Sequence, residues 1–81
     1  MKAKPNYTVA QLIEELKKFP HEMPVVTSGY EGEYENILPL KIISVKYIPD
    51  EPYYNGQFQC VNEAEIDAFS VVAIEREVRP F

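Results

Sequence analysis

The chain has 81 residues, 46% of them hydrophobic and 26% charged, with thirteen acidic side chains against eight basic ones and a net charge of −5. This balance excludes wholesale disorder and disfavours nonspecific attraction to nucleic-acid phosphates. The single cysteine, Cys60, excludes an intramolecular disulfide framework and any Cys-based structural zinc site. A single domain over 1–81 with a thin core is expected, because small domains bury a smaller share of their unfolded surface than large ones do. Residues 1–6 are expected to form a flexible N-terminal segment. The stretch MKAKPNYTV has two lysines with no apolar run behind them, so neither a secretory leader nor a membrane anchor is expected.

Thr8 is placed to cap a helix whose third position is Gln11, and Tyr7 and Leu12 have the spacing of a hydrophobic staple. Val9, Leu12, Ile13, Leu16 and Phe19 then recur at the helical period, opposite Gln11, Glu14, Glu15, Lys17 and Lys18. Glu14 and Lys18 have the favourable i,i+4 order. Pro20 predicts a helix end near Phe19. The β-branched content of Val25 to Ser28 predicts a short strand, after which Gly29 and Gly32 bracket Tyr30 and Glu31 in a loop.

Leu38 to Ile48 is the longest β-like run, with Ile43, Val45 and Tyr47 on one parity and Leu40, Ile42 and Ile48 on the other. Pro49 to Gly56 reads as a turn region. Asn55-Gly56 suits a tight hairpin, and Asn62 to Ala68 suits a short helical turn. Phe69 to Val78 predicts the last strand. The predicted fold is α+β, with an N-terminal helix packed on a small antiparallel sheet of about three strands in the order α-β-β-β.

The pattern Thr8-Val9, Leu12-Ile13, Leu16, Phe19-Pro20, Pro24-Val25-Val26 and Gly29-Tyr30-Glu31-Gly32, with a later Tyr54-Asn55-Gly56 turn, resembles small uncharacterised proteins of tailed bacteriophages and prophages. The resemblance is best over the N-terminal half. Where such relatives carry a second glycine this chain has Glu33, which makes its loop more acidic and stiffer. The resemblance implies a phage accessory protein working in the cytoplasm of a bacterial host. It brings no catalytic residue with it.

Two groups of residues are candidate binding sites. Tyr30, Glu31, Glu33 and Tyr34 combine aromatic platforms and carboxylates in a glycine-bracketed loop, which reads either as a partner contact or as a plain strand connection. Tyr53, Tyr54, Gln57 and Phe58 surround Asn55-Gly56 and have the stacking and amide groups of a nucleobase pocket, although packing is the commoner use of such aromatics. Glu31, Glu33 and Glu35 offer fewer ligands than a calcium loop needs, so no metal and no cofactor is expected. One histidine, one cysteine and no Ser-His-Asp signature leave nucleophilic catalysis without visible machinery. Cys60 is expected to be a small buried hydrophobe.

The leading expectation is a non-enzymatic protein that binds, and can inhibit, a host protein; the alternative is a binder or sequesterer of a nucleotide-type ligand. Neither nucleic acid nor membrane is an expected partner. A nucleotide phosphate would need basic residues such as Lys41, Lys46, Arg76 or Arg79. A homodimer is also expected, because apolar residues occur on both parities of the long strands while one helix covers a single face.

Overall fold

The computed structural model describes residues 5–52 and 54–80; the expected flexible segment at 1–6 and the candidate Tyr53 fall wholly or partly outside them. The fold is α+β and mostly sheet, with one short helix and two small antiparallel sheets of two and three strands. Five strands therefore form where about three were expected. The described residues divide into two compact units, residues 5–40 with 74–80 and residues 41–73.

In the first unit, helix α1 (Val9–Leu16) starts with the expected capping box. Gln11 N donates to Thr8 Oγ1 at 3.1 Å, and Thr8 N donates to Gln11 Oε1 at 2.8 Å. The helix ends earlier than its apolar period suggested. Lys18 N donates to Glu15 O and Phe19 N to Leu16 O, so the last turn tightens to i→i+3 bonds ahead of Pro20, which disfavours helical backbone at Phe19. The same tightening changes the ion pairs. Lys17 reaches Glu14 at 3.0 Å and Lys18 reaches Glu15 at 3.1 Å, both at i,i+3, in place of the expected Glu14 and Lys18 pair.

Strands β1 (Thr27–Ser28) and β2 (Tyr34–Glu35) pair antiparallel, with Thr27 opposite Glu35 and Ser28 opposite Tyr34. The predicted strand at Val25 shrinks to its last two residues. Beyond β2 the chain pairs with its own C-terminal segment: Leu38 N donates to Glu75 O at 2.9 Å, Glu77 N donates to Asn36 O at 2.8 Å, and Ile37 bridges Arg76. This corrects the single strand expected over Phe69 to Val78. Only its first part joins a sheet with the long strand; Glu75 to Glu77 turn to a different partner.

In the second unit, β3 (Lys41–Tyr47) is the centre of an antiparallel sheet between β4 (Phe58–Cys60) and β5 (Phe69–Ala73). The long strand begins at Lys41, later than expected, because Pro39 lacks an N–H for a ladder. Cross-strand partners share a face, so Ile43, Val45 and Tyr47 line up with Val71, Phe69 and Phe58. Among the described residues Val45 alone is buried, at 2% exposure. Phe58 stands edge-on to Phe69 at 6.1 Å and tilted against Tyr47 at 5.5 Å, which extends the apolar face across all three strands. The opposite parity is open where Ile42, 75% exposed, pairs with Val72.

Two local expectations fail here for identifiable reasons. Ile48 N donates to Gln57 O, so a broad loop over 48–57 joins β3 to β4, and Asn55-Gly56 lies inside it and does not form a two-residue hairpin turn. Between β4 and β5, Asn62 Oδ1 accepts from Ala64 N, Glu65 N donates to Asn62 O and Ala68 N donates to Glu65 O. These are successive turns, not a helix, and Asp67 leaves them at a φ of 65°. Ile66, 77% exposed, does not plug the apolar face.

Candidate functional site

The first candidate group is the tip of the β1–β2 hairpin. Gly29 N donates to Glu33 O at 2.9 Å, closing the turn Tyr30-Glu31-Gly32. Each end of this turn has a distinct steric requirement. A Cβ at Gly29 would stand 2.9 Å from the Gly32 carbonyl oxygen, so the backbone approaches itself too closely for any other residue. Gly32 has a φ of 110° and Glu33 a φ of 54°. Glu33 thus holds a left-handed conformation that glycine adopts without a steric cost and a Cβ-bearing residue does not. The position where the resembled proteins carry glycine is one where this backbone favours it.

The tip presents its aromatics outward, with Tyr30 79% and Tyr34 68% exposed. Glu31 and Glu33 are exposed as well, whereas Glu35 is half-buried. The C-terminal segment supports the base of the hairpin. Arg79 Nε donates to Glu35 Oε2 at 2.9 Å, Asn36 Nδ2 donates to Glu77 Oε1 at 3.3 Å, and the Arg76 guanidinium lies 5.4 Å from the centre of the Tyr30 ring. That last distance is within the range of a cation–π contact. Sequence reasoning missed this assembly. Arg76 and Arg79 were visible as basic residues, but no local signal ties them to a loop more than half the chain away.

The second candidate group lies in the other unit. Tyr54 is exposed, Gln57 is exposed and serves through its backbone carbonyl in closing the 48–57 loop, and Gln59 donates its side-chain amide to Gly56 O. Phe58 is packed between Tyr47 and Phe69. Its ring faces are therefore engaged in holding the sheet. Cys60 is exposed on the edge strand, not buried as expected.

A further feature had no counterpart in the sequence reading. An apolar groove of about 570 Å³ runs between Ile13, Leu16 and Phe19 on one side and Met23, Val25 and Val26 on the other. Its walls are the apolar stripe of α1 and the segment that Pro20 and Pro24 turn back alongside it. The individual residues had been assigned to packing, and what escaped notice was that they face a space. His21, exposed just past the helix end, also lines this groove.

Among the described residues no group of three or more His, Cys, Asp or Glu side chains is placed to hold a metal ion, and no helix is long and apolar enough to cross a membrane. Comparison with protein-family models, curated proteins and solved structures found no match.

Proposed function

We propose that this chain is a non-enzymatic accessory protein of phage type that binds, and by binding can inhibit, a protein in the cytoplasm of a bacterial host, with the Tyr30–Tyr34 hairpin as its contact element. The observation that supports this reading is the pair of tyrosines held outward on a hairpin whose base is tied to the C-terminal segment. Aromatic anchors on a pre-ordered loop lose little conformational freedom on binding and supply large contact area. The carboxylates of Glu31 and Glu33 favour a partner surface that is basic around an apolar pocket. Self-association belongs to the same reading, supported by the exposure of Val9, Ile13, Leu16 and Phe19 along one helix face.

A second reading has one observation in its favour. Arg76 over Tyr30 puts a cation beside a stacking surface, an arrangement that suits an anionic aromatic ligand such as a nucleotide. Against it stand the pairing of Arg79 with Glu35 and the carboxylates at the tip. The deciding experiment is affinity capture from bacterial lysate, run in parallel with mass spectrometry of small molecules released from the purified chain. A stoichiometric protein that is lost with Tyr30→Ala/Tyr34→Ala supports the first reading. A retained nucleotide with no such protein overturns it in favour of the second.

A further inference from the structure

We propose that Asn55-Gly56 is a self-modifying site, at which Asn55 converts to aspartate and isoaspartate through a cyclic imide with water as the only co-reactant. The chemistry needs a side-chain amide followed by an unhindered backbone nitrogen. Gly56 supplies that nitrogen, since it has no Cβ to obstruct attack on the Asn55 Cγ. The Gly56 N–H proton is lost as the new C–N bond forms, and the amide group leaves as ammonia. Water then opens the imide at either carbonyl, leaving one carboxylate where the amide had been.

The fold leaves this pair accessible. Both residues are exposed in the 48–57 loop, outside any helix or strand. Asn55 N donates to Pro52 O at 2.9 Å in a turn, and Asn55 Nδ2 donates to Glu51 Oε2 at 3.1 Å. Conversion removes that donor and sets a carboxylate against the Glu51 carboxylate. The turn then loses a hydrogen bond and gains a like-charge contact, and the chain becomes one unit more negative than −5.

A Cβ at position 56 would meet nothing within 4 Å, so Gly56→Ala is a control that slows the attack without a clash. The experiment incubates the intact chain at 37 °C at mildly alkaline and mildly acidic pH and follows each asparagine by peptide mapping. The expected product is about 1 Da heavier at position 55. It should form faster at the alkaline pH, ahead of Asn36 and Asn62, and at least about tenfold more slowly in Gly56→Ala, where a Cβ hinders the attack. Conversion of Asn55 no faster than Asn36 or Asn62, or at an equal rate in Gly56→Ala, overturns the proposal.

Discussion

Arg79 donates through Nε to the Glu35 carboxylate at 2.9 Å, joining two residues 44 apart in the chain and fastening the C-terminal segment to the base of the β1–β2 hairpin. The arginine side chain is largely in water while that of Glu35 is 19% exposed. The pair sits between the weak surface class and the stronger partly buried one. Arg79→Ala is expected to cost about 1 kcal/mol and to raise the mobility of the hairpin, since Glu35 keeps its charge and loses its partner. Denaturant melts at low and high salt check this. The difference between wild type and variant should shrink as salt screens the pair.

The hairpin tip yields a prediction of opposite signs at neighbouring positions. Gly29→Ala forces a Cβ against the Gly32 carbonyl and is expected to destabilise by about 1–3 kcal/mol, in the range of overpacked sites. Glu33→Gly relieves the left-handed strain of a Cβ-bearing residue and is expected to stabilise by about 0.5–1 kcal/mol, the strain relief outweighing the extra freedom of the unfolded chain. Thermal melts of the two variants should move in opposite directions. A fall in both would mean that the turn does not hold this backbone in solution.

Binding and folding should separate at the tip. Tyr30→Ala with Tyr34→Ala removes two outward rings and, with Tyr30, the surface under Arg76. The double variant is expected to lose partner binding while its melting temperature stays within a few degrees of wild type, because exposed side chains contribute little to stability. Loss of cooperative unfolding in that variant would instead make the tyrosines structural.

Sequence was most informative where neighbours in the chain are neighbours in space. The Thr8 and Gln11 capping box is a local exchange of hydrogen bonds and was legible residue by residue. So was the parity that puts Ile43, Val45 and Tyr47 on one face of β3. The strands β2 and β4 are too short to show alternation, and both escaped notice. The division of 69–78 between two partners was also hidden. Ala73 pairs with Lys41 while Arg76 bridges Ile37, and nothing in that apolar run marks the change except the identity of residues far along the chain. The same holds for the candidate site. Its glycines and tyrosines were readable, and its arginines were assigned to it only by the fold.

Thr8→Ala is expected to cost about 1 kcal/mol, since it removes the side-chain acceptor for Gln11 N and so half of the reciprocal box. Larger effects depend on burial, and here the periodicity of α1 misleads. Leu16 remains 47% exposed and Leu12 only half-buried, so neither is a full core position. Leu12→Ala and Leu16→Ala are therefore expected below the roughly 2–5 kcal/mol typical of buried leucines, with Leu12 the costlier of the two. Val45 differs because it sits on the central strand with Phe69 opposite on one side and Cys60 on the other, and truncation there leaves a void. Val45→Ala removes fewer atoms than either leucine change yet is expected to cost more, about 2 kcal/mol, because all that it removes was out of water and packed. Urea melts of the three variants give the ranking directly. If Leu16→Ala proves the most damaging, the helix face is buried in solution by a second copy or by another segment, and a dependence of its melting midpoint on protein concentration distinguishes the two.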